Sequence, residues 1–147
     1  NKEIHSSKFR NEYHKAMVNI IFTNNWVMER NKEIFDRGDI TPQQYNILRI
    51  LRGANAPLST MQIRQRMLDK MSDTSRIVDR LLKKELVKKI VCAVDKRLVD
   101  VTISPKGLAL LKELDKYNNE MDCVLNKISE EEVCTLKQLL DKIRNAE

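Results

Sequence analysis

Polar and basic side chains recur at helical spacing between Ser72 and Lys84. The apolar side chains of this stretch stand at i, i+3, i+4 and i+7, which predicts one shared buried helix face: Thr74, Ile77, Val78 and Leu81. The opposite face carries Ser72, Ser75, Arg76, Asp79, Arg80 and Lys83. Arg and Ser side chains read hydrogen-bonding groups on base edges, and a major groove is wide enough to admit an α-helix. The stretch therefore predicts a helix that binds in a major groove of duplex DNA.

A charged hairpin is predicted directly after this helix. Side chains alternate with the period of a half-buried strand over residues 98–103: Val99, Val101 and Ile103 against Leu98, Asp100 and Thr102. The turn before them presents Asp95, Lys96 and Arg97, for which a solvated turn is the alternative. An Arg on a projecting loop can enter a narrow minor groove, and Asp95 can orient its guanidinium through a charge-assisted hydrogen bond. A helix followed by such a hairpin predicts a winged helix.

Two helix start signals precede this pair of elements. Thr41-Pro42-Gln43-Gln44 combines an N-cap Thr, a Pro at the first helical position and a Gln three residues after the cap. Ser59-Thr60-Met61-Gln62 repeats the cap and the Gln, and a break at residues 69–71 leads to Ser72, the predicted cap of the next helix. Three helices with short connections predict a helix-turn-helix arrangement, although generic three-helix clusters share this pattern.

The distribution of charge favours a nucleic-acid partner. The chain has a net charge of +6, and segments 1–40, 41–106 and 107–147 carry +1, +8 and −3. A basic surplus confined to the segment with the predicted helix and hairpin indicates more than a solvated surface. With 147 residues, 33% charged, 41% hydrophobic and 5% aromatic, the chain is predicted to be mainly helical, with one domain as the default. The lack of a long apolar run predicts a soluble, cytosolic protein.

Long apolar stripes occupy both ends of the chain. Residues 9–35 predict a helix of roughly 40 Å, longer than a small domain is wide, so part of its stripe needs a partner outside the domain. A second long helix is predicted from Ser104-Pro105 to Ile128, and Ser129-Glu130-Glu131-Glu132 opens a last one. Amphipathic ends around a basic centre predict a homodimer whose two recognition helices bind half-sites about one helical turn apart.

Little in the sequence supports catalysis. There is no Gly-rich phosphate loop, no metal-ligand spacing and no nucleophile–base arrangement, so neither an enzyme nor a cofactor is predicted. Three scattered cysteines, Cys92, Cys123 and Cys134, fit a reducing compartment. Cys92 is expected to pack as a small apolar residue, and a redox-sensing role for any of the three stays open.

Residues 41–107 resemble the MarR (multiple antibiotic resistance regulator) family of bacterial winged-helix transcription factors. The resemblance is carried by residues 75–81, 83–87 and 101–107 and by the wing. The family's wing pattern is Asp-x-Arg, followed after several strand residues by an apolar residue, Thr or Ser, and a Lys-Gly helix start. The residues that match this pattern are Asp95, Arg97, Ile103, Ser104, Lys106 and Gly107. Two positions depart from the family: Glu85 stands where many members have Gly at the end of the recognition helix, and Ala93 replaces a second wing carboxylate.

The resemblance implies a recognition helix from Ser72 to Lys84 and a minor-groove residue in Arg97. Our hypothesis assigns Ser72, Ser75, Arg76 and Asp79 to base edges, and Arg64, Arg80, Lys83 and Lys96 to phosphates. The resemblance also implies dimerisation through intertwined terminal helices, which divides the chain into 1–40, 41–107 and 108–147. A crevice between dimer helices and winged domain would bind a small, often aromatic, effector. Its candidate lining, with core packing as the alternative for each residue, is His14, Met17, Ile21 and Tyr45.

The sequence thus predicts a mainly α protein with a small β-hairpin wing. Its predicted function is that of a homodimeric DNA-binding regulator, a ligand-responsive repressor that competes with polymerase at a pseudo-palindromic operator. Two alternatives remain open. One is a thiol-based redox-sensing regulator of the same fold, and the other is a winged-helix module whose basic face binds an acidic protein.

Overall fold

Most of the described chain is helical, as the low Gly and Pro content predicts. The computed structural model describes residues 8–91, 93–95 and 99–145. The chain divides into two compact units, with the division between Lys116 and Tyr117. None of the helices in the described part combines the length and the hydropathy needed to span a membrane.

The first unit contains the winged-helix elements. They are α1 (Glu12–Arg37), α2 (Pro42–Ala54), β1 (Leu58–Ser59), α3 (Thr60–Arg66), α4 (Thr74–Lys83), β2 (Val87–Val91), β3 (Val99–Ile103) and α5 (Pro105–Asp115). The second unit contains α6 (Asn118–Asp122), a 3₁₀ turn (Cys123–Leu125) and α7 (Glu130–Arg144). The predicted mainly α fold with a small β-hairpin wing is confirmed.

The sheet has one strand more than the predicted hairpin. Its order is β1-β3-β2, and both pairings are antiparallel. In the hairpin Val87 lies opposite Ile103 and Val91 lies opposite Val99, while Leu58 of β1 pairs with Val101. Since β1 has only two residues, its sequence carries no alternation from which a strand could be predicted.

Side-chain caps begin α2, α3 and α7 where the sequence predicts them. The Thr41 hydroxyl accepts a hydrogen bond from the Gln44 amide at 3.1 Å, and the Gln44 side chain accepts one from the Thr41 amide at 3.1 Å. The same reciprocal pair links Ser59 with Gln62 and Ser129 with Glu132. These capping boxes satisfy amides that have no partner inside the helix and so fix where α2, α3 and α7 begin.

The core of the first unit lies between α2, the inner face of α4, the sheet and α5. Its most deeply buried side chains are Ile47, Leu48, Ile63, Met67, Val78, Leu81, Val101, Leu111 and Leu114. Gly107, in the first turn of α5, lies directly against the backbone of Leu86. A Cβ atom at Gly107 would lie 2.3 Å from the Leu86 carbonyl oxygen. Only glycine lets α5 pack against the chain that leaves α4.

The second unit has no comparable core, since every described residue from Tyr117 to Asn145 is at least partly exposed. The prediction of one long helix from Ser104-Pro105 to Ile128 is wrong. Helix α5 ends at Asp115, and α6 begins at Asn118 without a side-chain cap. Consecutive Asn residues at 118 and 119 compete for backbone hydrogen bonds, which weakens a helix that tertiary packing does not support.

Candidate nucleic-acid interface

The recognition helix begins two residues later than the sequence predicts. Helix α4 starts at Thr74, and the Asp73 carboxylate, not the Ser72 hydroxyl, accepts the hydrogen bond of the Arg76 amide at 3.2 Å. Ser72 belongs to the preceding turn instead, where its amide donates to the Asp69 carbonyl at 3.3 Å. The prediction of Ser72 as the cap is therefore wrong, because the turn engages Ser72 and leaves Asp73 at the helix start.

The two faces of α4 separate largely as predicted. Thr74, Val78 and Leu81 are buried against the first unit, whereas Ile77 of the predicted face is only half-buried. The residues that we assigned to DNA on this helix are all exposed: Ser75, Arg76, Asp79, Arg80 and Lys83. Ser72 is half-buried just before them. The helix therefore presents a continuous polar, mainly basic surface.

The end of α4 keeps the backbone geometry that glycine would give, although the residue is Glu85. Glu85 has a φ of 60°, in the left-handed region. Its amide donates to the Leu82 carbonyl at 3.0 Å, and the Leu86 amide donates to the Leu81 carbonyl at 3.0 Å. This pair of hydrogen bonds is the Schellman motif, in which the residue at Glu85 is usually Gly. The departure from the family pattern therefore leaves the shape of the helix end unchanged.

Two lysines near this helix end bind backbone carbonyls. Lys84 Nζ donates to the Asp39 carbonyl in the turn between α1 and α2. Lys106 Nζ donates to the Lys84 carbonyl at 3.0 Å. Lys106 thus offsets the partial negative charge at the end of α4, and Lys84 ties this helix end to the turn between α1 and α2. The ammonium groups of Lys84 and Lys106 are thus engaged within the protein rather than available to a ligand.

One basic residue joins the α4 surface from the sheet. Lys89 Nζ lies 3.5 Å from Asp79 Oδ1, and both side chains are about half exposed. Lys88 and Lys89 both lie within β2. The pair is ten residues apart in sequence, so no local pattern indicates it. An exposed pair of this kind adds little stability, but it partly offsets the negative charge of Asp79 on the basic face.

A groove of about 510 Å³ lies at the start of α4. It brings together Arg64 of α3 with two predicted base-contact residues, Ser72 and Ser75. Its full lining is Thr60, Met61, Arg64, Met71, Ser72, Asp73, Thr74 and Ser75. The sequence prediction included Arg64, Ser72 and Ser75 of this groove and missed its two methionines.

The wing is described only in part. Lys96 and Arg97, the predicted phosphate and minor-groove residues, lie outside the described residues, as does Cys92. Asp95 is half-buried and has interactions of its own, while Val94 next to it is 97% exposed. In the hairpin that carries the wing, Val91 of β2 pairs with Val99 of β3.

Comparisons with known proteins decide the family. A profile described as MarR family matches residues 38–98. The chain is 29% identical over 115 residues to the HTH-type transcriptional regulator MhqR of Bacillus subtilis (strain 168), which covers 77% of each protein. The winged-helix part of the chain thus matches the MarR family, and the match extends to regulators over about three quarters of the chain. The predictions of this family and of a DNA-binding transcriptional regulator are confirmed, and the named relatives are regulators rather than enzymes.

Solved structures confirm the MarR fold. A mutant MarR from E. coli complexed with operator DNA matches with a TM-score of 0.82 at 24% identity, covering 93% of this chain and 99% of that one. The organohalide sensing RdhR transcriptional regulator in its ligand-free form matches with a TM-score of 0.85 at 18% identity, covering 99% of this chain and 89% of that one. At these identities, the likeness concerns the fold alone.

The four effector candidates are not brought together within one protomer. His14, Met17 and Ile21 share one face of α1, and the last two are 50% and 55% exposed. Tyr45 is buried on α2, where its ring centroid lies 5.0 Å from that of Phe35. Phe35 is about 21 Å along α1 from Ile21. An effector site made of all four would need a second protomer.

The described cysteines and acidic side chains form no metal site. Among the residues that the structure describes, no group of three or more His, Cys, Asp and Glu side chains could hold a metal ion. Cys123 and Cys134 are free, exposed thiols in the second unit.

Proposed function

We propose that this protein binds a pseudo-palindromic DNA operator as a homodimer and represses transcription by competing with polymerase. The observation that carries the proposal is the exposed basic face of α4, which continues onto Arg64 at its start and Lys89 at its side. Phosphate contacts position a protein on DNA, and base contacts specify the sequence. The operator-bound MarR structure with the same fold supports this use of the face.

Within this face, we assign different roles to the two halves of α4. Ser72, Ser75 and Arg76 lie at its start, where recognition helices contact base edges, and we assign Asp79 to the same set. Arg64, Arg80 and Lys83 are assigned to phosphates, together with Lys96 and Arg97 of the wing. We also assign Lys89 to phosphates, because its ammonium lies at the side of α4.

A binding-site selection compares the two roles directly. Arg76→Ala should change the preferred base at one position in each half-site, with a loss of about 1–3 kcal/mol at the matched base. Lys83→Ala should weaken all sequences alike and reduce the salt slope by about 1. Lys137→Ala, which removes an exposed lysine of α7, is the matched control and should change neither. Selection of an unchanged motif by Arg76→Ala would contradict the assignment.

Salt dependence separates DNA binding from the protein-interaction alternative. A protein that neutralises several phosphates loses affinity steeply as salt rises, because condensed counterions are released on binding. Titration of the wild type with operator duplex between low and physiological salt should show this slope. A wild type that binds no duplex, or binds with a shallow slope, would favour an acidic protein as the partner.

The homodimer is supported by apolar side chains at both ends of the chain that remain exposed. On α1 they include Tyr13, Met17, Ile20, Ile21 and Phe22, and on α7 Leu136, Leu139 and Ile143. Exposed apolar stripes on neighbouring helical turns indicate an interaction surface, since isolated exposed apolar residues would not line up. We accordingly assign 1–40 and 108–147 to dimerisation and 41–107 to DNA binding.

A charge placed in the stripe tests the dimer. Ile21→Asp should raise the dimer dissociation constant by more than about tenfold, because an unpaired charge would be buried in the interface. Asn19→Asp adds the same charge to an exposed polar position of α1 and should leave the dimer intact. Sedimentation at several protein concentrations measures both. A dimer that is equally strong in both variants would place the interface elsewhere.

We further propose that a small aromatic effector releases the DNA, in the cytoplasm of a bacterium. RdhR, which shares the fold, is an organohalide sensing regulator by its own description. An effector can do this only if it binds the DNA-incompetent state more tightly. Thermal-shift screening of aromatic compounds, followed by operator release, tests the proposal. Hits should raise the melting temperature of the free protein and weaken its binding to DNA.

The exposed thiols favour a second candidate, a redox-sensing regulator of the same fold. Cys123 and Cys134 are accessible to oxidants, which a sensing thiol must be. This candidate predicts that mild oxidant releases the operator and that Cys123→Ser, Cys134→Ser or Cys92→Ser abolishes the response. Release that persists in the triple Ser variant would exclude it.

A further inference from the structure

Two methionines are exposed beside the DNA-facing residues and have no part in the roles assigned so far. Met71 is 94% exposed and Met61 is 71% exposed. Single exposed apolar residues are common on protein surfaces. These two, however, line the same groove at the start of α4, next to Arg64 and Ser75. The polar groove thus has an apolar part that faces any ligand that enters it.

The turn before α4 holds the backbone of Met71 in place. The Asp69 carboxylate accepts a hydrogen bond from the Met71 amide at 3.0 Å. The Leu68 amide donates to the Asn46 side-chain oxygen at 2.9 Å, which ties the turn to α2. The Asp69 carboxylate therefore holds the turn through its hydrogen bond with the Met71 amide. The Met71 side chain, in contrast, is left free to contact a ligand.

The charges around the groove suit the edge of duplex DNA. Arg64 lies on its α3 side and Arg76 follows on α4, both exposed. The negative charge of Asp73 is engaged in capping the Arg76 amide. The start of a recognition helix is the part that approaches base edges in the major groove. In that groove the apolar group that a base presents is the C5-methyl of thymine.

We infer that Met71, with Met61 beside it, packs against thymine methyl groups and so selects thymine at positions next to those that Arg76 reads. The inference rests on the proposed DNA-binding function and adds specificity-determining residues to it. An unbranched thioether side chain adapts to a methyl group without a fixed rotamer, which suits contact with a base edge. The Leu68 side chain is 86% exposed but does not line the groove, so it has no such role.

Removal of one methyl group from the DNA tests the contact. In the operator selected by the wild type, each thymine is replaced in turn by deoxyuridine, which keeps the base pair and lacks only the C5-methyl. The wild type should lose affinity about three- to fivefold at one or two positions of each half-site. Met71→Gln, of similar length but polar, should bind the thymine and uracil duplexes equally at the position that Met71 contacts. Met71→Leu should keep the preference.

Leu68→Ala is the matched control, since it changes a similarly exposed residue of the same turn that lies outside the groove. The thymine preference of this variant should equal that of the wild type. Met71 is exposed, so its variants should fold normally, which circular dichroism checks. Uracil that costs the wild type nothing, or costs Met71→Gln as much as the wild type, would overturn this inference alone. A wild type that binds no duplex at all would overturn the proposed function and this inference with it.

Discussion

The winged-helix elements and the terminal helices differ in where their apolar side chains find partners. In α2, α4 and α5 the apolar faces are buried within the chain, and Leu48, Leu81 and Leu111 have no exposed surface. In α7 the equivalent stripe stays open, with Leu139 at 55% and Ile143 at 63% exposure. Both regions show the same helical periodicity in sequence. Periodicity therefore reports that a face needs a partner and does not report which chain supplies it.

The same contrast runs along a single helix. Ile34 and Phe35, in the last turn of α1, are 3% and 6% exposed, whereas Tyr13 near its start is 88% exposed. The buried end packs with Tyr45 of α2, and the exposed part extends beyond any such contact. One continuous helix thus contributes to the core at its end and leaves apolar side chains exposed over the rest. On the proposed assignment, the helix joins the DNA-binding part to the dimer surface without a flexible linker.

The largest expected effect comes from exchanging a core leucine and an end leucine for alanine. Leu48→Ala should lower the free energy of unfolding by about 2–5 kcal/mol, because it leaves a cavity in a fully packed core. Leu139→Ala should leave the fold intact and raise the dimer dissociation constant instead. Urea unfolding and sedimentation measure the two quantities. Equal losses of unfolding free energy in both variants would mean that α7 packs as the core does.

The next largest effects are expected from two glycine substitutions that compare a tightly packed with an open position of the winged-helix elements. Gly107→Ala should lower the unfolding free energy by about 1–3 kcal/mol, since its Cβ would meet the Leu86 carbonyl at 2.3 Å and Ile103 Cγ1 at 2.8 Å. Gly53→Ala, in α2, meets no atom within 4 Å and should raise it by up to about 1 kcal/mol through helix propensity. Thermal and urea unfolding of the pair measure both signs. A neutral Gly107→Ala would contradict the close packing.

Features set by neighbouring residues could be predicted from the sequence. The capping boxes at Thr41, Ser59 and Ser129 join groups three residues apart, so their pattern is visible in the chain itself. The amphipathic faces of α4 and the hairpin after it follow for the same reason. The helix boundaries were less secure, because Ser72 and Asp73 are both good caps and only the turn at Asp69 decides between them.

Features set by distant residues could not be predicted. The contact between Asp79 and Lys89 depends on how α4 meets β2, and β1 gains its strand geometry only by pairing with β3. The break after Asp115 was missed because the apolar stripe continues across it. The family resemblance groups Tyr45 with the α1 residues, whereas its contact with Phe35 depends on the crossing of α1 and α2.

A smaller effect is expected where an ion pair joins two helices of the winged-helix unit. Arg52 of α2 donates two hydrogen bonds to the Asp115 carboxylate of α5, at 2.7 Å and 3.1 Å. About a third of each side chain is exposed, so solvent screens the pair. Asp115→Asn should lower the unfolding free energy by about 1 kcal/mol. Glu113→Gln, which breaks the exposed Lys116 pair of the same helix, is the control and should cost less.

The sign of the pH dependence follows from the same pair. The hydrogen bonds from Arg52 lower the pKa of Asp115. The pair therefore stabilises the folded chain above the pKa of an unfolded Asp, about 4, and this contribution is lost as pH falls through the lowered value. The difference between wild type and Asp115→Asn should be constant from pH 7 to about 5 and disappear in strong acid. A difference that grows on acidification would have the wrong sign.

The smallest effect is expected at Glu85, where the core overrides a local preference. Leu81 and Leu86, on either side of the turn, are 0% and 4% exposed, so their burial holds Glu85 at its φ of 60°. Glu85→Gly removes the steric cost of about 1–2 kcal/mol but adds freedom to the unfolded chain and loses the exposed contact with Lys106 at 3.7 Å. The net gain in unfolding free energy should be about 0.5 kcal/mol.

Asn55 provides the matched control for this change, because it ends α2 with a φ of 53° and Asn tolerates the left-handed region better than Glu does. Asn55→Gly should therefore gain less than Glu85→Gly, as measured by urea unfolding of the two variants. The preferred operator should also be the same for Glu85→Gly and the wild type, since the helix end already has the glycine-like shape. A larger gain for Asn55→Gly would mean that Glu85 is not strained, and a changed operator would mean that its carboxylate, rather than its backbone, acts at the DNA.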